Sequence, residues 1–373
     1  MKNRKGFALG LLFSLAIIST DGLAQNYRSE HHTFTLETVA TGLRHPWSIA
    51  FLPDNEILIS ERSGILRRMV DGRLLSDPVS GLPDITASGQ GGLLDLALHP
   101  DFAVNRWLYF SYSHGNAQGL TTRVARGRYE SGELTNVEIV FEALPRLPGG
   151  RHFGSRLTFD PQGYLYVTVG DRGQETRAQQ LDSHMGTTVR LHDDGRVPQD
   201  NPFVGQSGAR PEIFTYGNRN GQGLFTHPLT GDIWQNEHGP RGGDEVNIIR
   251  AGLNYGWPKV TYGINYNGTP ITDLTEAEGI EPPLLHWTPS IAPADMTYYN
   301  GTVFPEWQGD IFVGALVGQK VQRLRFAGTE LVEQEDLLTQ FNARIRDIQT
   351  GPDGTLWLIT DEPNGRLIRL MPI

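Results

Sequence analysis

The stretch RLTFDPQGYLYVTVGD (156–171) contains the pattern that determines the fold. Apolar and polar residues alternate on both sides of the turn residues DPQG, and this arrangement is typical of a β-hairpin. The chain repeats this pattern of an alternating run, a turn with proline and a second alternating run. The six copies lie at 48–62, 94–113, 156–171, 222–237, 296–316 and 345–362, and their turn prolines are Pro53, Pro100, Pro161, Pro228, Pro305 and Pro352.

The repeats predict an all-β fold, a six-bladed β-propeller. Most copies are followed by a further strand-like run, so each unit can form a four-stranded blade, and radial repetition of blades protects the sheet edges. The long insertions 171–215 and 238–295 predict long loops over one end of the central channel, where a functional site is expected. A pair of β-sandwiches or a β-helix is the alternative, with shorter and more regular repeats.

Composition excludes several classes of function. The 373 residues carry a formal net charge of −10 and no run of Lys or Arg after the N-terminal segment. A nucleic-acid partner or an anionic membrane partner is therefore not expected. The chain has no cysteine, which excludes disulfides, thiolate metal sites and cysteine nucleophiles. Any bound metal must be held by oxygen atoms or imidazole.

The N-terminus has the features of a secretory signal. A basic flank precedes the apolar run FALGLLFSLAII (7–18), and a small residue follows at Ala24. We predict a signal peptide at 1–24, a periplasmic location and one propeller domain over 25–373. An N-terminal membrane anchor is the alternative, although the run is too short to span a bilayer. No later run of eighteen apolar residues occurs, so the mature chain is not expected to span a membrane.

Four segments carry more polar and glycine residues than a simple turn requires. Gln90 lies between glycines in ASGQGGLLDLALHP (87–100), and His152 follows Gly-Gly-Arg in LPGGRHFGSRLTFD (147–160). The imidazole of a histidine on a loop has a pKa near neutrality, and histidine is therefore the usual general base in enzymes. Arg219 and Asn220, in TYGNRNGQGLF (215–225), offer a cationic fork and an amide to ligand oxygens. A bulge, a surface histidine and an ordinary turn remain the alternatives for these segments.

The fourth segment is ARIRDIQTGPDG (343–354), in which Arg344 and Arg346 alternate and therefore project from one face of a strand. Two guanidinium groups without a nearby acid on that face repel each other, and an anionic ligand would relieve the repulsion. A solvated edge strand is the alternative.

The stretch NEHGPRGGDEVN (236–247) suits a hard cation such as calcium, which prefers carboxylate and carbonyl oxygens. Gly239 and Pro240 expose carbonyl groups, and Asp244 and Glu245 add negative charge. Zinc is disfavoured because His238 has no second histidine or cysteine at ligand spacing. The chain also lacks the GxSxG nucleophile elbow of a serine hydrolase.

In this order, the motifs GQGGLLDLALHPDF, RHFGSRL, YGNRNGQG, EHGPRGGDE, NYGWP and RIRD resemble those of the glucose/sorbosone dehydrogenase family. The resemblance covers about residues 34–372 and is closest to the soluble, periplasmic aldose sugar dehydrogenases that depend on pyrroloquinoline quinone (PQQ). It implies a six-bladed propeller that oxidises aldose sugars at C1 to lactones, with hydride transfer to the PQQ C5 carbonyl. It also implies an aldose substrate, a small-molecule or quinone electron acceptor, and a monomer or homodimer.

The resemblance also implies roles for individual residues. His152 would be the general base and Arg219 would stabilise negative charge on the quinone oxygens. The cofactor would contact Gln90, Asn220 and Tyr266, and its carboxylates would pair with Arg344 and Arg346. The carbonyls of Gly239 and Pro240 would hold a catalytic calcium, and Glu245 with the carbonyl of Tyr255 a second, structural calcium.

One position departs from the family pattern. Val317 stands where family members commonly have a lysine near the cofactor, and the nearest lysine is Lys320. Two other functions stay open at this point, a calcium-dependent propeller lactonase or hydrolase and a non-catalytic carbohydrate-binding propeller. The lactonase would need metal-binding acids from several blades, and it leaves Arg344 and Arg346 unexplained.

Overall fold

The computed structural model describes residues 25–373, and the predicted signal peptide at 1–24 lies outside this range. The described chain consists of β-strands with one short helix, α1 (Phe102–Asn105), and two 3-10 turns at Glu175–Gln179 and Pro305–Trp307. Within residues 25–373, no helix has the length and apolar character needed to cross a membrane.

The strands form six antiparallel sheets. In chain order they are β1 (Tyr27–Arg28), β2 (Thr33–Leu43), β3 (Pro46–Phe51), β4 (Ile57–Glu61), β5 (Ile65–Val70), β6 (Arg73–Leu74), β7 (Leu93–Leu98), β8 (Trp107–Asn116), β9 (Gly119–Glu130), β10 (Glu133–Glu142), β11 (Leu157–Phe159), β12 (Leu165–Val169), β13 (Thr187–Leu191), β14 (Ile213–Tyr216), β15 (Gly221–Thr226), β16 (Ile233–Glu237), β17 (Asp244–Ile249), β18 (Leu285–Trp287), β19 (Pro293–Tyr298), β20 (Ile311–Ala315), β21 (Val321–Ala327), β22 (Glu330–Leu337), β23 (Ile345–Thr350), β24 (Leu356–Thr360) and β25 (Gly365–Pro372).

Each sheet is one blade of a propeller. Blades 1 to 5 are β3–β6, β7–β10, β11–β14, β15–β18 and β19–β22, and blade 6 is β23–β24–β25–β2–β1. The first strand of each blade contacts the first strand of the next, and the contacts continue from β23 back to β3. The predicted six-bladed propeller is confirmed, and the six sequence repeats correspond to the first two strands of the six blades.

Blade 6 joins the two ends of the described chain. Strand β2 pairs with β25, with Phe34 opposite Pro372 and Leu43 opposite Gly365. Because strands from both ends share one sheet, the ring closes by ordinary antiparallel pairing rather than by contact between sheet edges.

The two long insertions contain strands as well as loops. The region 171–215 includes β13 and most of β14, and 238–295 includes β17 and β18. These strands complete the four-stranded blades 3 and 4, as the repeats predicted. The outer strands of blades 3 and 4 are short, and apolar and polar residues alternate only weakly along them. The long loops that connect them are 170–186, 192–212 and 250–284.

Antiparallel order fixes which loops lie together. The segments that precede the first strands and those that follow the second strands lie at the same end of the propeller. Gln90, His152 and Asn220 precede first strands, while Arg62 and His238 follow second strands. Residues from distant parts of the sequence therefore converge above the central channel.

A buried ionic cluster fills the channel below this end. The Arg156 guanidinium lies 2.9 Å from Asp95, 3.3 Å from Asp295 and 3.8 Å from Asp347. These side chains come from four different blades and are almost completely buried. The cluster separates the loops at the upper end from the rest of the channel.

Candidate active site

A cavity of about 230 Å³ lies at the upper end of the channel. Four of the residues predicted to contact a cofactor line it, namely Gln90, Asn220, Arg344 and Arg346. The remaining lining residues are Trp47, Arg62, Leu94, Phe153, Gly154, Gln222, His238, Ala292, Leu316, Val317 and Asp361. The structure thus brings together side chains from all six blades around one polar opening.

His152 is not among the lining residues but directly precedes Phe153 and Gly154, which are, and two contacts hold it in place. Its backbone N–H donates to Gln90 Oε1 at 2.8 Å, and its Nδ1 lies 2.6 Å from Asp171 Oδ1. The other oxygen of Asp171 accepts a hydrogen bond from Trp257 Nε1 at 2.8 Å. His152 has a φ of 54°, a conformation that non-glycine residues rarely adopt and that the surrounding contacts maintain.

These contacts determine the protonation of the imidazole. The Asp171 carboxylate accepts a hydrogen bond from Nδ1–H, which leaves Nε2 as the basic nitrogen. Burial lowers the pKa of His152, and Asp171 only partly opposes this effect. Burial opposes ionisation of Asp171, but hydrogen bonds from His152 and from the Gly173 backbone hold its pKa below the ordinary value. A neutral imidazole beside an ionised carboxylate results.

Arg219 does not line the cavity but lies directly behind it. Its Nη1 donates to the carbonyl of Gly239 at 2.8 Å and to that of His238 at 3.2 Å. Its Nε is buried and has no hydrogen-bond partner among residues 25–373. Glu237 accepts hydrogen bonds from the backbone N–H groups of Arg219 and Asn220 and thereby orients both residues.

Arg344 and Arg346 share an acid that the sequence pattern did not reveal. Arg346 Nη2 lies 3.0 Å from Asp361 Oδ2, and Arg344 Nη2 lies 3.6 Å from the same oxygen. Burial opposes ionisation of Asp361, but Arg346, together with His45 and Arg62, holds the pKa of Asp361 well below its ordinary value. The expectation that no acid lies near this pair was wrong, because Asp361 reaches it from the end of the neighbouring strand β24.

His238 contributes a neutral imidazole to the cavity. Its Nε2 lies 2.7 Å from the carbonyl oxygen of Pro293, so that Nε2 is the donor. Burial, Arg346 and Arg219 lower the pKa of His238 to about 3. A histidine held neutral in this way adds no charge to the cavity.

The stretch NEHGPRGGDEVN divides into two environments. Asp244 is buried, and its carboxylate accepts hydrogen bonds from Gly239 N–H, the Ser290 hydroxyl and the N–H groups of Ile291 and Ala292. Asp244 therefore shapes the turn that carries Gly239. It has little capacity left for a cation.

Glu245 points to a different cavity. This second cavity has a volume of about 350 Å³, and Tyr255, Glu276, Glu278 and Glu281 are among its lining residues. Glu237 lies opposite Glu245 in the β16–β17 pair, and burial together with the Glu237 charge raises the pKa of Glu245 to about 8. The Tyr255 hydroxyl donates to the Ile248 carbonyl at 2.6 Å, which fixes this ring against blade 4.

Two residues lie away from the main cavity. Tyr266 is 71% exposed and does not line it. Lys320 Nζ forms hydrogen bonds to both carboxylate oxygens of Asp336, at 2.7 and 2.8 Å, and therefore does not replace a lysine at Val317. Val317 itself is 63% exposed at the cavity rim.

Sequence reasoning missed several residues that build the site. Asp171 ends the repeat quoted first, and the acid after a buried strand was the signal that it faces the same end as His152. Trp257 lies 86 positions from Asp171, so no local pattern links them. Arg62 ends the first hairpin repeat, and nothing in the sequence around it indicates that it lies near Arg346.

Comparison with known proteins assigns the family. The glucose / sorbosone dehydrogenase family model matches residues 43–369. Aldose sugar dehydrogenase YliI of Escherichia coli (strain K12) is 46% identical over 346 residues, which cover 91% of this chain and 93% of that protein. The crystal structure of the soluble aldose sugar dehydrogenase from Escherichia coli in the apo-form has a TM-score of 0.89 at 45% identity, with 91% of this chain and all of that chain covered.

A PQQ-bound structure is also similar. The PQQ-bound form of aldose sugar dehydrogenase from Streptomyces coelicolor has a TM-score of 0.73 at 28% identity, and the match covers 90% of this chain and 98% of that one. The family model and these relatives extend over nearly the whole described chain. The chain therefore belongs to the glucose / sorbosone dehydrogenase family.

Proposed function

We propose that this protein oxidises aldose sugars at C1 to lactones, with PQQ as cofactor and calcium as metal ion. The observation that carries the proposal is the buried His152–Asp171 pair beside a cavity lined by arginines. The family assignment supports an oxidoreductase that acts on sugars. We also infer export to the periplasm, an aldose substrate and a small-molecule or quinone electron acceptor.

The residues of the cavity fit PQQ, which is a planar quinone with several carboxylates. Arg344 and Arg346 provide cations for carboxylates, and Gln90 and Asn220 provide amides. The buried Nε atoms of Arg219 and Arg346 have no hydrogen-bond partner in the described part of the chain, and they would gain one when an anion binds nearby. Tyr266 would need a movement of its loop to contact the ligand, since its side chain is exposed.

The fit to calcium differs between the two proposed metal positions. The Gly239 carbonyl already accepts a hydrogen bond from Arg219, but a carbonyl oxygen has two acceptor positions and can also bind a cation. At the second position, Glu245 carries a raised pKa that a bound calcium would lower. We propose Gly239 and Pro240 for the catalytic ion, and Glu245 with the Tyr255 carbonyl for the structural ion.

In the reaction, His152 Nε2 takes the proton of the anomeric hydroxyl, because Nδ1–H donates to Asp171. When bound, PQQ supplies an oxidant that accepts the C1 hydride at its C5 carbonyl, and calcium supplies a Lewis acid. Arg219 stabilises the negative charge that develops on the ligand oxygens. The sugar loses two electrons and two protons and leaves as the lactone.

A dye-reduction assay tests the function. Purified protein is incubated with PQQ and Ca²⁺, and reduction of an electron-accepting dye is followed with glucose and other aldoses. We expect sugar-dependent reduction and a change in the PQQ spectrum. The absence of both would exclude the proposal, and hydrolysis of a lactone in their place would favour the lactonase alternative.

The substitution His152→Ala tests the general base. We expect turnover to fall by at least ~10²-fold while PQQ still binds, because the proton acceptor is removed and the arginines are retained. His31→Ala, at an exposed histidine, is the control and should keep full turnover. Loss of PQQ binding in His152→Ala would show that His152 holds the cofactor instead.

A further inference from the structure

Arg62 is a cation that lines the main cavity and has no ionic partner within residues 25–373. It lies between β4 and β5, is half-buried and lines the cavity with Arg344 and Arg346. Its guanidinium makes no hydrogen bond or ion pair within residues 25–373. The neighbouring arginines of the same hairpin are paired, Arg67 with Glu61 and Arg68 with Glu56.

The backbone holds Arg62 in place beside the GQGG segment. Its N–H donates to the His45 carbonyl at 3.2 Å. Gly92 packs so closely that a Cβ atom at this position would lie 1.8 Å from the Arg62 carbonyl oxygen, and its φ is 153°. Only glycine permits this approach, which brings the loop that carries Gln90 against the turn that carries Arg62.

The charges around the cavity do not balance. Three arginines and one aspartate line it, so positive charges exceed negative charges by two. Asp361 is already engaged by Arg346 at 3.0 Å and by His45 at 3.0 Å. Lys320 pairs with Asp336 and adds nothing to this count. A partly desolvated cation without a partner is costly, and an anionic ligand offsets this cost.

We propose that Arg62 is a further cofactor-binding residue that forms an ion pair with a carboxylate of PQQ. This inference rests on the proposed function and adds a third arginine to the predicted pair Arg344 and Arg346. It would add a cation to a cavity in which Val317 provides no charge.

Titration of the metal-loaded protein with PQQ tests the inference. Binding is followed by quenching of tryptophan fluorescence, since Trp47 lines the cavity, and is checked by equilibrium dialysis. We expect Arg62→Gln to raise the Kd for PQQ by roughly 10- to 100-fold, as for the loss of one charge-assisted contact. Arg62→Lys should recover part of this loss, and the affinity of Arg62→Gln should depend less on salt concentration.

Arg73→Gln is the matched control, because Arg73 is exposed on β6 of the same blade. It removes the same charge outside the cavity and should leave the Kd unchanged. Thermal unfolding of each variant without PQQ separates lost binding from lost folding, and Arg62→Lys provides the comparison if Arg62→Gln is unstable.

The outcomes distinguish this inference from the proposed function. If the unmodified protein binds no PQQ, the proposed function fails. If it binds PQQ and Arg62→Gln binds equally well, only the role of Arg62 is wrong. An unchanged Kd for PQQ with a raised KM for the sugar would assign Arg62 to the substrate and also overturn the inference.

Discussion

At the scale of the residue, the properties of His152 depend on a carboxylate that is buried with it. Asp171 accepts from His152 Nδ1 and from Trp257 Nε1, so its two oxygens hold the imidazole and the indole in fixed directions. Gly170 adjoins this pair, and a Cβ there would lie 2.1 Å from the His152 carbonyl oxygen. The imidazole of His152 is therefore positioned by packing as well as by hydrogen bonding.

The pH dependence of the reaction follows from the lowered pKa of His152. The proposed reaction needs the neutral imidazole, so we expect activity to fall as the pH decreases through this pKa. Since burial places the pKa below 6.5, we expect kcat/KM to stay constant from neutral pH to below pH 6.5 before it declines. A profile of kcat/KM against pH, measured with one aldose, checks this; an acid limb centred above 6.5 would contradict it.

Asp171→Asn tests how the imidazole is held. An amide that donates to Nδ1 stabilises the tautomer with the proton on Nε2, which cannot act as base. We expect kcat to fall by roughly 10²-fold or more with PQQ affinity retained. The acid limb should also move to lower pH, since Asp171 raises the pKa of His152. If Asp171 had only a structural role, Asp171→Asn would lower the free energy of unfolding and leave the acid limb of the kcat/KM profile at the same pH.

At the scale of the element, the first strands of the blades carry the ionic cluster that closes the channel. Asp95 is well supported, because it accepts from Ser48, from Leu157 N–H and from Arg156. Asp295 accepts from Gln349 Nε2 at 2.7 Å. Its other oxygen lies 3.3 Å from Arg156 Nε but forms no hydrogen bond among residues 25–373. The three carboxylates thus have unequal environments.

Asp295 makes stability dependent on pH. Burial raises its pKa well above 3.8, Arg156 opposes this shift and Asp347 adds to it. The unfolded chain therefore loses this proton at a lower pH than the folded chain. As a result, the free energy of unfolding decreases as the pH rises above 3.8, until the raised pKa of the folded state is passed. Within this window the loss is at most about 1.4 kcal/mol per pH unit.

We expect Asp295→Asn to remove this part of the pH dependence. Urea unfolding of both forms at several pH values should show that the variant gains stability relative to the native chain as the pH rises. Asp273→Asn, at an exposed position, should follow the native chain. A difference between the two chains that stays constant with pH would show that Asp295 keeps its charge in the folded state.

At the scale of the whole molecule, stability depends on closure of the ring. Strand β2 from the N-terminal part completes blade 6, and Phe34 on this strand is fully buried. Its ring lies 5.6 Å from Trp307 and 6.2 Å from Phe304, measured between centroids. Both partners belong to the β19–β20 connection of blade 5, so Phe34 joins two blades as well as the two ends of the chain.

Phe34→Ala should lower the free energy of unfolding by about 3–5 kcal/mol, because it removes a buried ring and leaves a cavity. Urea unfolding followed by tryptophan fluorescence measures this change. Val332→Ala, at a residue that is 49% exposed, should change stability by less than about 0.5 kcal/mol. Similar small effects of both substitutions would show that blade 6 does not limit the stability of the ring.

The sequence by itself determined the repeats, the fold class and most of the candidate site. Alternation and turn residues act between near neighbours, so RLTFDPQGYLYVTVGD and its five counterparts specify hairpins without tertiary information. Glycine-rich segments placed Gln90, His152 and Asn220 at strand entrances, and the structure brings them to one end. The alternation of Arg344 and Arg346 predicted that they share a face, and both line the cavity.

Only the tertiary structure decided which of these groups touch and how they are charged. Ring closure brings loops from separate blades together. Three contacts depend on such loops: the ion pair of Asp361 with Arg346, the hydrogen bond from Trp257 to Asp171, and the hydrogen bond from Arg219 to the Gly239 carbonyl. Burial in this assembly lowers the pKa of His152 and raises that of Glu245. These effects depend on distances between groups far apart in the chain, and no local pattern of residues contains them.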